Sequence, residues 1–205
     1  MPRLSIAVFI LAAVGVSPLA ALAHSGNAAV TVTRAPRQLG GPFTLTDQNG
    51  HRVSDADFTG KLRLMYFGYT NCGDACPLDL QNIAAALDLL GERGRDVVAV
   101  FVTIDPARDT PARLEEFLPL FHRDIVGLTG DADAIHTLAA AYGVDYDKIA
   151  VKSADVYDLT HPAIAFVMGR HGEFLDLVRP ADGPAAIAKA LRRRLDDRPP
   201  LLGSR

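Results

Sequence analysis

The stretch Asp96-Val97-Val98-Ala99-Val100-Phe101-Val102-Thr103-Ile104 is apolar almost without a break and rich in β-formers. A half-exposed strand would alternate, so a continuous run of this length reads as a strand buried on both faces. Such a strand needs a covering layer on each side. That confines the chain to arrangements in which helices flank a sheet. A second run, Lys61 to Tyr69, has the same character. The length of 205 residues suits one domain with a substantial core.

The rest of the pattern places helices between strands. Phe43-Thr44-Leu45-Thr46-Asp47 alternates and is followed by Gln48-Asn49-Gly50, a hairpin signal. After Pro77, Leu78, Leu80, Ile83, Ala84, Leu87 and Leu90 recur at helical spacing, and Gly91 ends the helix. Thr110 caps a helix with Pro111 in its first turn, running to about Phe121. Ile125 to Leu128 is a short strand, Asp131 opens a helix to about Tyr142, and residues 143–160 read as a long loop. Ala163 to Met168 and Glu173 to Val178 form a hairpin around Arg170-His171-Gly172, and a last helix runs from about Pro184 to Leu195. Leu78, Leu87, Phe117 and Leu138 are expected in the core. The order predicts an α/β, thioredoxin-like fold with an N-terminal β-hairpin extension and a mainly parallel central sheet flanked by helices.

Both cysteines of the chain lie where the first buried strand hands over to a helix, in Thr70-Asn71-Cys72-Gly73-Asp74-Ala75-Cys76-Pro77. Cys76 and Pro77 read as cap and first residue of that helix, where the partial positive charge favours a thiolate. Thiols so placed either exchange electrons as a dithiol or grip a soft metal. The C-x-x-x-C spacing is one residue wider than the redox C-x-x-C pattern and leaves room for an ion. Zinc would need two further ligands, whereas two thiolates with one added imidazole suit Cu(I). His161 is the best third ligand, because it precedes the strand Ala163–Met168, whose start lies beside the dithiol in a thioredoxin-like sheet. His51, His122, His136 and His171 are dispersed and read as solvated. His24, if exposed as a new N-terminus, would offer an amine and an imidazole to Cu(II).

The N-terminus has Arg3, an apolar stretch to about Val16 and Ala21-Leu22-Ala23, the pattern of a secretory signal peptide over residues 1–23. Its apolar stretch is shorter than the roughly 20 residues that span a bilayer. An uncleaved anchor is the alternative. Residues 24–41 read as a flexible lead, 42–198 as the domain and 199–205 as a disordered tail. Export implies a periplasmic, oxidising setting in which the thiols can pair. With 24 acidic and 21 basic residues, net charge −3 and no basic patch, nucleic-acid binding has no support.

The segments Tyr66-Phe67-Gly68-Tyr69-Thr70-Asn71-Cys72 with Cys76-Pro77, Val102-Thr103-Ile104-Asp105-Pro106-Ala107-Arg108-Asp109-Thr110-Pro111, Val126-Gly127-Leu128-Thr129-Gly130 and Gly172-Glu173-Phe174-Leu175-Asp176 closely resemble the Sco/SenC copper chaperones of cytochrome c oxidase assembly. The resemblance covers about residues 40–195. It implies copper, as Cu(I) and also Cu(II), held by Cys72, Cys76 and His161. It also implies delivery of copper to, or keeping thiols reduced at, the oxidase copper site, with a copper-receiving oxidase subunit, or another copper or thiol protein, as partner. Members are membrane-tethered or exported. Two departures flank the histidine: Thr160 stands where the family commonly has an acidic residue, and Pro162 where it has a small hydroxyl residue. Pro162 falls where thioredoxins carry a cis proline, so a cis peptide is expected there.

The competing function is a periplasmic thiol-disulfide oxidoreductase, with Cys72 attacking, Cys76 resolving and copper incidental. A peroxidase would need a cation beside the thiolate, and no arginine lies in the dithiol segment. Asp105-Pro106 and Arg108-Asp109 read as a turn and cap before the Thr110-Pro111 helix start.

Overall fold

A computed structural model describes residues 39–73, 75–153 and 156–197. The expected signal peptide, His24, most of the lead and the tail lie outside the described residues. A seven-stranded sheet with the order β2-β1-β5-β4-β3-β8-β9 forms the middle layer. Its strands are β1 (Thr44–Asp47), β2 (Arg52–Ser54), β3 (Leu62–Gly68), β4 (Val97–Thr103), β5 (Val126–Thr129), β8 (Ala165–Met168) and β9 (Phe174–Val178). The remaining strands, β6 (Asp147–Ser153) and β7 (Val156–Thr160), pair only with each other. The helices are α1 (Ala75–Leu90), α2 (Pro111–Phe117), α3 (Ala132–Tyr142) and α4 (Pro184–Asp196).

Side-chain alternation along β3 divides the core. Leu64 and Tyr66 join Leu80, Ile83, Ile187 and Leu191 from α1 and α4, while Met65 and Phe67 join Ile135, Leu138 and Tyr142 from α3. Both faces of β3 and β4 are therefore buried, as their unbroken apolar sequences require. Leu87, Phe117 and Leu138 are buried as expected, but Leu78 is 55% exposed. It lies on the solvent side of the first turn of α1, a position that apolar spacing alone assigned to the core.

The sheet is mixed rather than mainly parallel. Only β3–β4 and β4–β5 pair parallel, whereas β1–β2, β1–β5, β3–β8 and β8–β9 are antiparallel. The parallel pairs are those with a helical crossover between their strands; the hairpins at each end of the chain add on without one. The expected loop over 143–160 contains the β6–β7 hairpin, with a register shift between Ala150 and Ser153. The helix from Thr110 is α-helical to Phe117 and tightens to a 3₁₀ turn over Leu118–Leu120. Of the N-terminal lead, Gly40 N–H donates to the Ala141 carbonyl at 3.0 Å.

Candidate metal centre

The carboxyl ends of β3 and β4 open onto the site, where ligands of α/β sheets usually sit. β3 ends at Gly68, beneath the first turn of α1. A Cβ there would stand 3.0 Å from Phe101 Cε2, 3.2 Å from Tyr66 Cε1 and 3.5 Å from Cys76 Sγ. Glycine lets the strand pass close under the thiol. The loop that follows carries Cys72, half-buried, and α1 carries Cys76, fully buried. The helix begins at Ala75, so Cys76 lies within its first turn rather than at its cap. Its N–H faces Cys72 Sγ at 3.4 Å, one of the unpaired amides of a helix start turned on a sulfur.

His161 follows the last residue of β7. Its Nε2 is 3.3 Å from Cys76 Sγ, and the two sulfurs and one ring nitrogen all lie within 4.8 Å of one another. The structure thus brings together the three residues that the sequence singled out. The imidazole meets Tyr66 and Tyr69 edge-on, with ring centroids 6.2 and 6.1 Å away. Nδ1 lies 3.2 Å from the Pro162 carbonyl oxygen. A carbonyl only accepts, so this contact takes a proton on Nδ1 and leaves Nε2 as the ring atom facing the sulfurs. The cis peptide expected at Pro162 is absent: no peptide bond among the described residues is cis. The other described histidines stand elsewhere, His51, His136 and His171 exposed and His122 half-buried.

The two thiols are electrically unequal. A hydrogen bond from the Cys76 thiol, helped by His161, pulls Cys72 down from 9.0 to about 4 against the opposing effect of burial. Cys76 moves up, first because its proton bonds Cys72 and then because it is buried. One proton therefore rests on Cys76 while Cys72 is a thiolate. The bond to Cys72, and then burial, outweigh the helix terminus that sequence reasoning credited to Cys76. Beside the pair, Tyr66 Oη donates to Asp79 Oδ2 at 2.8 Å, and burial raises the Asp79 carboxyl.

The residues that sequence reasoning missed lie in the β4–α2 connection. It does contain a turn and a cap: Asp105 O accepts from Arg108 and Asp109 N–H, and Thr110 Oγ1 accepts from Arg113 N–H at 3.2 Å. Its acidic side chains reach much further. Fully buried Asp109 accepts from Thr70 N–H at 2.9 Å, Thr70 Oγ1 at 2.6 Å and Thr103 Oγ1 at 2.6 Å. It ties the start of the cysteine loop to the end of β4. No local spacing signals a partner so far along the chain.

Fold and site together define a thioredoxin-like domain with a dithiol–imidazole cluster at the carboxyl ends of its parallel strands. The chain belongs to the SCO1/SenC family, whose model matches residues 31–196. Protein SenC of Rhodobacter capsulatus is 48% identical over 112 residues, 55% of this chain and 51% of that protein. Protein sco1 of Schizosaccharomyces pombe is 37% identical over 168 residues, 80% of this chain and 64% of that protein. The chain therefore spans about half to two-thirds of these relatives. The solved structure of Bradyrhizobium japonicum ScoI with copper bound is 38% identical, with a TM-score of 0.71 over 76% of this chain and 99% of that one. Yeast Sco1 with copper bound is 32% identical, with a TM-score of 0.73 over 80% and 92%.

Proposed function

We propose that the protein is a metallochaperone that carries copper on Cys72, Cys76 and His161 and delivers it to the copper site of cytochrome c oxidase during assembly. The observation that carries this reading is the convergence of two sulfurs and an imidazole nitrogen within 4.8 Å. The donor set fits the ion: thiolates and imidazole both suit copper, and among the described residues the group ends at three, one short of a closed zinc site. Likeness to copper-bound ScoI and Sco1 supports it. The chain's part is to offer a ready thiolate at Cys72, a second sulfur that binds once its proton leaves, and a ring nitrogen already turned inward. The partner is a copper-receiving oxidase subunit or another copper or thiol protein, which takes the ion by ligand exchange. The domain, over 42–198, is placed in the periplasm, released after Ala23 or tethered by an uncleaved leader. The sequence of residues 1–23 supports export, and no helix among the described residues is long and apolar enough to cross a membrane.

Copper titration of the reduced protein with X-ray absorption of the bound metal tests the proposal. Two sulfurs and one nitrogen are expected, and His161→Ala is expected to weaken binding sharply while the fold stays intact. Unchanged affinity in that variant removes His161 from the site.

The unequal thiols also favour a second role, the reduction of a partner disulfide. Cys72 Sγ⁻ would attack one partner sulfur and release the other as a thiolate. Cys76, giving up its proton, would then attack Cys72 Sγ and free the second partner thiol. The partner gains two electrons and this chain ends as a Cys72–Cys76 disulfide.

A further inference from the structure

His161 belongs to a piece of the molecule that main-chain pairing leaves almost detached. β6 and β7 pair with each other and with no strand of the central sheet. His161 lies between β7, which ends at Thr160, and β8, which begins at Ala165 in the central sheet; the β8 side is held by the sheet, and the β7 side by whatever side chains fasten this hairpin to the body. They come mainly from the β4–α2 connection. Arg108 Nε donates to Asp105, and its Nη1 donates to the Tyr157 carbonyl at 3.1 Å. The same guanidinium lies 3.7 Å from the centroid of the Tyr157 ring and 5.8 Å from that of Tyr69. Tyr157 Oη in turn donates to Asp105 Oδ1 at 2.7 Å. Asp105 is itself 2% exposed and is held by its own N–H on Thr103 Oγ1 at 2.9 Å. Two residues further along β7, Leu159 N–H donates to Tyr69 Oη at 3.1 Å, and Tyr69 is one of the two rings flanking the imidazole.

We propose that Arg108 and Tyr157 form a latch that sets the position of His161, so that opening it withdraws the ring nitrogen from the cluster while Cys72 and Cys76 stay in place. The sulfurs have separate anchors, α1 for Cys76 and the Thr70–Asp109 bonds for the cysteine loop. Arg108 and Tyr157 are thus positioning residues that act through β7. Arginine is required because one planar group must stack on a ring while it bonds a carboxylate and a carbonyl; an ammonium supplies a point charge without the fork. Tyrosine is required because its ring takes the stack and its hydroxyl takes the carboxylate. The proposal rests on the copper reading, and metal-free protein gives it an independent test.

The experiment uses the full chain, reduced, as wild type, Arg108→Ala, Arg108→Lys and Tyr157→Phe, with Arg170→Ala as a control remote from the site. Anaerobic Cu(II) loading is followed by electron paramagnetic resonance, which reads nitrogen coupling from a bound imidazole. Hydrogen exchange of the Leu159 amide is measured without metal. Arg108→Ala is expected to lose the nitrogen coupling and to bind Cu(II) about 10–100-fold more weakly, the usual effect of losing a group that orients a ligand. Arg108→Lys is expected not to restore the coupling. Tyr157→Phe keeps the stack and is expected to cost about threefold to tenfold, one hydrogen bond's worth. It carries the test if Arg108→Ala does not fold. The Leu159 amide is expected to exchange about tenfold faster in Arg108→Ala and unchanged in Arg170→Ala. A residue that merely held the fold together would lower the melting temperature and leave the nitrogen coupling unchanged; that result overturns the latch. Wild type without nitrogen coupling overturns the copper reading instead, and the Leu159 exchange then decides the latch alone: unchanged exchange in Arg108→Ala refutes it.

Discussion

Asp109→Asn is the sharpest test of how the cysteine loop is held. The carboxylate is fully buried and accepts three hydrogen bonds, one from a main-chain N–H and two from hydroxyls. The two hydroxyls already accept from elsewhere: Thr70 Oγ1 from Arg113 Nε at 3.1 Å and Thr103 Oγ1 from Asp105 N–H at 2.9 Å. The Thr103 proton is therefore directed at Asp109, and the Thr70 proton goes to Asp109 or to Asn71 Oδ1, 3.3 Å away. An amide of the same shape keeps one oxygen. The better placement puts that oxygen where Oδ2 accepts from Thr70 N–H and Thr103 Oγ1, so the NH₂ faces the Thr70 hydroxyl, which must turn its proton to Asn71 Oδ1. Two bonds survive, weakened from charge-assisted to neutral, and one is lost. With about 1.5–3 kcal/mol for a bond to a charged group and about 1 kcal/mol for a neutral one, part of the loss is offset because no charge need be buried. The net cost is about 2–4 kcal/mol. For a domain of this size that lowers the melting temperature by about 4–16 °C.

The assay is urea and thermal unfolding of reduced, metal-free protein at neutral pH, combined with Thr103→Val in a double-mutant cycle. A coupling energy of about 1 kcal/mol or more is expected between the two positions. A destabilisation below about 0.5 kcal/mol, or additivity of the two substitutions, would refute the claim that this carboxylate fastens the loop to β4.

Three further outcomes follow from the structure. Iodoacetamide should label Cys72 well below the range of an ordinary thiol and lose reactivity only as pH falls through about 4, with Cys76 unlabelled, as read by mass spectrometry. Because the folded value lies below the unfolded one, the Cys72 contribution to stability is complete above about pH 9 and is lost as pH falls toward 4. Gly127→Ala should destabilise by about 1–3 kcal/mol in urea unfolding, since its Cβ would lie 2.4 Å from Leu118 Cδ1 and 3.3 Å from Leu114 Cβ, both on buried leucines.

The sequence made β3, β4 and the helices after them legible because their apolar periodicities are strong and their burial is extensive. It also made the dithiol legible, since two cysteines at the end of a buried strand have few structural uses. The β6–β7 hairpin escaped notice for the opposite reason. Ser153-Ala154-Asp155 lacks the Asn-Gly or Asp-Gly signature of a tight turn, and strands that meet no sheet need no long apolar face. Pairing direction was misjudged where hairpins join the sheet, because a strand's sequence does not say whether its neighbour runs parallel or antiparallel.

The acidic residues of the β4–α2 connection show why the site was only half readable. By local chemistry Asp105 and Asp109 belong to a turn, and their main-chain atoms do form one. Their side chains spend their bonding capacity on Tyr157 and Thr70, 52 and 39 positions away. Burying a carboxylate is costly unless donors meet it, so each reports a partner that must exist without saying which. The ligands can be listed from residue type and topology. In the proposed latch, the imidazole 3.3 Å from a sulfur is set by contacts among the cysteine loop, the β4–α2 connection and β7, and such contacts leave no periodicity in the chain. A substitution at Arg108 or Tyr157 would therefore leave every motif cysteine and histidine in place while removing the geometry that makes them a site.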